Sequence, residues 1–307
     1  MRRSCDTPEI NRLRELATEV LRRHGRPDLS PGHREQGLST EERGDLVDRL
    51  YWAVHAPQER HDGTFSSDRR RFATMVREAE QRLNDLTHEY PGFSWISEDT
   101  GTGQTLVACP DGVEVVLDSA QVRRAADGSL ATCVASAVAE PVGARWLYWS
   151  PPGAAGHTEA RVYVHAPIDQ AFDMWCGIIR ALETAGLRFA AKVGGSDAML
   201  DRPDGIVLYC STAQLSNVVS HVVPAARGTK DSVPGFSVAV APGVGVTLAP
   251  DKESGGLMAG SVGHHWSKAL VDAWAASGEG GLEAVLGQLD ESWKRAVEFT
   301  RATEEAA

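Results

Sequence analysis

Arg161-Val162-Tyr163-Val164-His165, Phe189-Ala190-Ala191-Lys192-Val193 and Asp201-Arg202-Pro203-Asp204-Gly205-Ile206-Val207-Leu208-Tyr209 are the three runs that decide the fold. Their β-branched and aromatic content, with polar residues at alternate positions, predicts strands. Successive strand residues face opposite ways, so Arg161, Tyr163 and His165 share one face while Val162 and Val164 point into the core. The second strand adds Lys192, and the turn before the third adds Arg202. A helix from about Ile168 to Thr184 lies between the first two strands. It sets Ile168, Phe172, Trp175, Ile179 and Leu182 on one face, with Pro167 near its start and Gly186 at its end. It joins strands of similar direction, so it is expected as a crossover packed on one face of a sheet.

The chain before this region reads as helices and then short strands. Residues 8–25 place Leu13, Leu16 and Val20 at helical spacing, with Gly25 as a stop. Residues 26–40, rich in Pro, Gly and Ser, are expected to be a loop. A second helix begins at Ser39-Thr40-Glu41-Glu42 and carries Leu46, Val47, Leu50, Tyr51 and Val54 as its buried stripe. Residues 56–67 read as a mobile linker. A third helix, Ser67 to His88, buries Phe72, Met75, Val76, Ala79, Leu83 and Leu86, and Arg69-Arg70-Arg71 at its start reads as a solvated end. After Pro91 the period shortens to two. Phe93 with Trp95, residues 105–108 and residues 113–117 are predicted strands, and Thr100-Gly101-Thr102-Gly103 is a hairpin turn, having no Lys and no helix after it. Residues 118–143 read as a long surface excursion leading to a strand at 145–149.

The Pro- and Gly-rich run 151–156 divides residues 1–150, a helical and short-strand region, from residues 151–307. Beyond Tyr209 the pattern predicts a helix at 211–223, a loop with Arg227, Lys230 and Asp231, and two short strands around Pro242-Gly243. Ser261-Val262-Gly263-His264-His265-Trp266 then leads into a helix, and a last helix spans 281–303. The fold class is α+β, with a helical N-terminal half and a C-terminal mixed β-sheet flanked by helices.

Composition narrows the function. A net charge of −11 over 307 residues argues against general nucleic-acid binding while leaving room for a local cationic pocket. No apolar run approaches the length of a membrane span, and the first residues lack the apolar core of a secretory signal. The five cysteines are widely spaced and form no C-x-x-C pair, as expected of reduced thiols in a cytoplasmic protein. No nucleophile elbow, no His-Glu-x-x-His and no phosphate loop occurs. His264-His265 has no accompanying carboxylate pattern, so no metal and no cofactor is expected.

What remains is a lysine with arginine neighbours. Nearby positive charge and partial burial both depress a lysine pKa, which would let Lys192 abstract a proton. Arg161 and Arg202 would clamp a dianionic phosphate through forked hydrogen bonds, and Tyr163 or His165 would protonate the departing group. That combination suits β-elimination of phosphate from phosphoserine or phosphothreonine. The competing reading has Arg161 paired with a carboxylate, Lys192 exposed and His165 a satisfied strand histidine.

The succession R-x-Y-V, helix, F-x-x-K-V, then R-x-D-x-x-V-L-Y, P-x-F-S-V-x-x-x-P-G-V and S-V-G-H-H resembles the HopA-type effector-like family. The resemblance spans about residues 45–275. In actinobacterial peptide natural-product clusters, members resemble the stand-alone lyase of class V lanthipeptide and thioamitide pathways, and the family is similar to the bacterial phosphothreonine lyases. The resemblance implies a phosphothreonine-lyase-like C-terminal sheet. It also implies a phosphorylated leader-core precursor peptide as substrate, with residues 1–150 as the candidate for binding its leader, and a separate Ser/Thr kinase and a cyclase as pathway partners. By the same resemblance Lys192 falls at the lysine base, Tyr163 falls where the phosphothreonine lyases keep a histidine acid, and His165 on the same face can take that role. Arg161 and Arg202 fall at phosphate-binding cations, with Lys230 as a further contact. The family's S-F-G-x-x-R motif lacks its Arg here, leaving His264 or His265 to supply that charge. Two other readings stay open: a catalytically lapsed scaffold that binds a precursor peptide or kinase, and an effector acting on a host protein.

Overall fold

In a computed structural model the three quoted runs form the centre of a seven-stranded sheet. The structure describes residues 8–24, 38–57, 69–83, 85–108, 112–119, 122–124, 130–135, 138–139, 146–151, 159–249 and 261–301. The elements before the sheet are helices α1 (Pro8–His24), α2 (Thr40–Leu50) and α3 (Arg69–Leu83), then strands β1 (Thr87–Asp99), β2 (Gln104–Ala108), β3 (Glu114–Asp118), β4 (Val122–Arg124) and β5 (Leu130–Ala135). The rest comprises β6 (Val138–Ala139), β7 (Trp146–Trp149), β8 (Ala160–Val164), α4 (Ala171–Thr184), β9 (Ala190–Gly194), α5 (Asp197–Leu200), β10 (Ile206–Cys210), α6 (Leu215–Ala225), β11 (Val238–Ala241), β12 (Val244–Leu248), α7 (Val262–Ser277) and α8 (Glu279–Arg301). Among the described helices none is long and apolar enough to cross a membrane.

The larger sheet has the order β11-β12-β8-β10-β9-β7-β6. Every described pairing is antiparallel, where the sequence suggests a mixed sheet. The reason is topological: β10 inserts between β8 and β9. Those two strands therefore run in the same direction without pairing, and α4 crosses between them as expected. Along one row of the sheet Tyr163 lies opposite Val207, Val207 opposite Lys192, and Lys192 opposite Tyr148. In the next row Arg161 lies between Thr247 and Tyr209.

One face of this sheet is apolar. Val162, Val164, Ala191, Val193, Ile206 and Leu208 pack there with Phe72 and Met75 of α3, Trp175 and Ile179 of α4, and Val218 and Val222 of α6. Ser196 caps α5 by accepting from the Met199 amide. A second core joins α1 and α2 to α7 and α8 through Leu13, Leu50, Trp266, Leu270, Leu286 and Trp293. The smaller sheet has the order β3-β2-β1-β5-β4. The tight Thr100–Gly103 turn joins β1 to β2 as expected, with Asp99 Oδ1 accepting from the Gly101 amide at 2.9 Å.

Three expectations change. Residues 118–143, read as a surface excursion, contain β4, β5 and β6, and β5 pairs along β1. Their Ala-rich composition masks short strands that only the partner strand stabilises. The third helix ends at Leu83, and its expected last turn gives way to β1. The second helix does not run evenly to Val54. A capping box between Ser39 and Glu42 starts it, but after Leu50 it widens into a π-turn, Tyr51–His55, closed by the Ala56 amide donating to the Tyr51 carbonyl at 3.1 Å. The expected linkers at 56–67 and 151–156 and the loop at 26–40 fall largely outside the described residues.

Candidate functional site

The second face of β8, β10 and β9 is polar because strand alternation leaves it so. Arg161 and Tyr163 from β8, Tyr209 from β10 and Lys192 from β9 all project from it. The Lys192 ammonium lies 4.1 Å from the Trp146 ring centroid and 5.9 Å from that of Tyr209, and the Arg161 guanidinium lies 5.3 Å from the Tyr209 ring. Aromatic faces attract cations, so the rings hold these groups in place without neutralising them. Lys192 makes no hydrogen bond and no ion pair among the described residues.

The turn before β10 supplies Arg202 and Asp204, which are 4% exposed each. Arg202 donates from Nε to Asp204 Oδ1 and from Nη2 to Oδ2, both at 2.7 Å, a bidentate pair. Nη2 also donates to the Tyr51 hydroxyl at 2.5 Å. The guanidinium lies 4.9 Å from the Trp52 ring centroid and 5.5 Å from that of Trp146. Arg202 is thus held inside the protein, and its fork is already engaged. The phosphate clamp expected of it would require Asp204 to be displaced, leaving Arg161 as the cation beside Lys192.

The π-turn covers this face. Tyr51 reaches Arg202, while His55 stacks on Phe236 at 5.6 Å and stands edge-on to Tyr163 at 5.5 Å. A π-turn spaces side chains differently from an α-helix and is often found at functional sites. Gly263 explains part of the Ser-Val-Gly-His-His motif. A Cβ at this position would come within 2.3 Å of His55 Cδ2 and 2.7 Å of Tyr51 Cε2, so only glycine lets α7 lie against the π-turn.

Burial sets the protonation states. It lowers the Lys192 pKa to about 8; Tyr148 and Asp204 oppose this, and Arg161 and Arg202 add to it. A lysine so placed is partly neutral near physiological pH. Burial raises the Tyr163 pKa above its ordinary value against the opposing field of Arg161, and it pushes Tyr209 up to about 12. Burial pulls His55 down to about 3, with Asp204 opposing. Burial also works against the Asp204 carboxylate, but Arg202 prevails and keeps it ionised below the usual range.

The remaining expected residues lie apart from Lys192. His165 follows β8, and both its ring nitrogens are engaged. Nδ1 lies 2.8 Å from the Ser232 hydroxyl, and Nε2 faces the Asp201 carbonyl at 3.2 Å. Burial and Lys230 lower its pKa, consistent with a neutral ring that ties two loops together. Lys230 is paired with Asp201 at 2.6 Å. His264 pairs with Asp48 at 3.0 Å and packs on Tyr51 at 4.6 Å. His265, beside Trp266, lines with His264, Ser261 and Lys268 a cleft of about 410 Å³ between α2 and α7. The structure therefore brings together Lys192, Tyr163, Arg161 and Arg202, and places His165, Lys230, His264 and His265 around them.

Sequence reasoning assigned no role to Asp204, Tyr51, Trp52, His55, Trp146 or Tyr209. Asp204 carried a legible signal, since an acid two residues from an Arg in a Pro-containing turn is a ready partner for it. Tyr51 also had one, as a polar aromatic on an otherwise apolar helical stripe. His55 and Trp146 had none, for they reach the site only through the π-turn and the placement of β7.

No curated protein sequence matches this chain. Solved structures similar to it include two effector proteins. An effector protein from Pseudomonas syringae pv. tomato strain DC3000 is 10% identical, covers 90% of this chain and 93% of its own, and superposes with a TM-score of 0.46. An effector protein from Pseudomonas syringae pv. syringae strain 61 is 8% identical, covers 93% and 94%, and gives a TM-score of 0.43. Residues 150–296, which hold Arg161, Tyr163, Lys192 and Arg202, match the HopA1 effector protein family.

Proposed function

We propose that this protein is a phosphoserine/phosphothreonine lyase acting on a phosphorylated precursor peptide in ribosomal peptide natural-product biosynthesis of the lanthipeptide type. The observation that carries this reading is Lys192. It is a cation held by aromatic rings, with no ion pair or hydrogen bond among the described residues, lowered by burial to about 8 and set beside Arg161 on one sheet face. A lysine neutral enough to accept a proton, beside a guanidinium that attracts a phosphomonoester dianion, is what β-elimination asks of a protein.

Neutral Lys192 Nζ takes the proton from Cα of the phosphorylated residue. The electron pair left behind forms the Cα–Cβ double bond, and the Cβ–O bond breaks with its pair going to phosphate. Arg161 steadies the phosphate charge, and Tyr163 gives its hydroxyl proton to the departing oxygen. Tyr163 suits the acid role better than His165, whose two nitrogens already hold Ser232 and Asp201. The product is dehydroalanine or dehydrobutyrine. The substrate has to be supplied by a Ser/Thr kinase, and the alkene is the electrophile a cyclase would consume.

The test is mass spectrometry of a phosphothreonine or phosphoserine peptide, with the natural precursor and its kinase as the stronger version. Loss of one phosphoric acid, strongly reduced by Lys192→Ala, supports elimination. Replacement of phosphate by hydroxyl would mean hydrolysis and would sink the mechanism. A second reading, an effector acting on a host protein, is favoured by the family match over residues 150–296. It predicts the same chemistry on a phosphoprotein and no turnover of a precursor peptide.

A further inference from the structure

His55 has no part in the reaction as drawn, yet its surroundings are unusual for a core histidine. The side chain is 1% exposed, and neither ring nitrogen has a hydrogen-bond partner among the described residues. The hydroxyl of Tyr163, 2% exposed, is likewise buried, with the Arg161 guanidinium beside it but short of full hydrogen-bond geometry. The two rings touch edge to face, with centroids 5.5 Å apart at 79°. Buried polar groups are nearly always satisfied; the His55 nitrogens have no other partner among the described residues, and the Tyr163 hydroxyl, which Arg161 approaches from its own strand, belongs to the ring that His55 touches.

Three features hold the imidazole in this position. The π-turn ends on it and sets its ring against Tyr163 of β8. Phe236 stacks on it at 5.6 Å with planes 19° apart. Gly263 leaves its edge free of a Cβ that would come within 2.3 Å. Packing alone would be met by a phenylalanine, which brings no desolvated nitrogens.

Resting on the lyase reading above, we infer that His55 is the positioning residue of Tyr163, its ring N–H hydrogen-bonded to the phenolic oxygen directly or through one water. When that oxygen gives its proton to the departing phosphate it becomes an anion. The His55 N–H and the Arg161 guanidinium then face it as donors. The imidazole gives a hydrogen bond and keeps its proton, so no further group changes protonation. Burial holds the ring neutral, which keeps one N–H to give and adds no further cation beside Lys192 and Arg202.

The experiment has a spectroscopic arm and a kinetic arm. In proton and nitrogen NMR of the full chain, a His55 ring N–H protected from exchange, assigned by its loss in His55→Phe, should move when Tyr163 is replaced by Phe. The same resonance in wild type and Tyr163→Phe would overturn the contact. In the elimination assay, His55→Phe should lower kcat about 10²-fold with KM unchanged, the usual scale for removing one donor from an oxyanion. His55→Gln, which retains an N–H, should recover most of that loss. His55→Phe combined with Tyr163→Phe should be no slower than Tyr163→Phe alone, because the two residues act as one unit. Losses that multiply would overturn the inference and leave the lyase reading standing. A Tyr163-dependent N–H in a protein that eliminates nothing would sink the lyase reading and, with it, the catalytic part of this inference. If His55→Phe does not fold, His55→Leu replaces it in both arms.

Discussion

The two faces of β8, β9 and β10 come from the same strands, and they differ in what covers them. On one face Val162, Val164, Ala191, Val193, Ile206 and Leu208 are wholly buried under α3, α4 and α6. On the other, Arg161, Tyr163, Lys192 and Tyr209 lie under a π-turn and the 195–205 turn, which bring Tyr51, His55, Arg202 and Asp204. The first face stabilises the fold by removing apolar area from water. The second burdens it with desolvated charge, tolerated because Asp204 answers Arg202 and aromatic rings hold Lys192. A sheet so built separates its apolar packing from its charged and polar groups by the direction of alternate side chains.

The sharpest way to break this comparison is at Lys192. Lys192→Ala should cut elimination about 10³-fold, the scale expected for losing a general base, while the variant remains folded. A parallel loss of cooperative unfolding would mean that the polar face is structural after all. The wild-type pH profile sharpens the point. Below about pH 8 the Lys192 ammonium is protonated and cannot act as a base, so kcat/KM should rise through that region and level off above it. Stability has the matching sign. The folded pKa lies below the free value, so the folded chain binds fewer protons between about 8 and 10.5, and stability gains with rising pH in that window. Lys192→Met should lose this gain, as read from urea unfolding at several pH values.

Asp204→Ala strands Arg202 in the interior and should cost about 3–5 kcal/mol of unfolding free energy. Leu208→Ala, on the opposite face, should cost about 2–5 kcal/mol through lost burial and a cavity. Comparable losses from a polar and an apolar site would show that the covering of both faces is under tight constraint, whereas a neutral Asp204→Ala would demote the buried ion pair. Gly263→Ala should cost about 1–3 kcal/mol by forcing α7 away from His55 and Tyr51. Gly177→Ala is its counterpart: it lies exposed in α4 with nothing within 4 Å of a new Cβ, and should gain about 0.5–1 kcal/mol. Thermal or urea unfolding of the pair tests whether the π-turn contact is as tight as its geometry.

Much of the architecture was legible because it is local. The alternation at Arg161–Val164 and around Lys192, the stripe from Phe172 to Leu182, and the helix start at Ser39–Glu42 all act within one element, and each element stands within a few residues of its expected place. The strands in 118–143 were not legible, since β5 is a strand only by virtue of β1. The site was legible in part. Lys192, Arg161 and Tyr163 share the face that their parity assigns them. His165 has the right parity too, but it lies one residue beyond β8, where Ser232 and Asp201 capture its ring. Arg202 was visible as a cation, and its partner two residues away turned it inward.

The sequence by itself determined the alternation that sets a cationic face against an apolar one, and the crossover helix that joins its strands. Both follow from backbone geometry within a few residues. Only the tertiary structure decided that β10 comes between β8 and β9, that Arg202 is neutralised by Asp204, and that His55 meets Tyr163. Those contacts join residues that lie far apart in the chain, or depend on which way a turn folds, and they exist only once α2, α7 and the sheet have packed together.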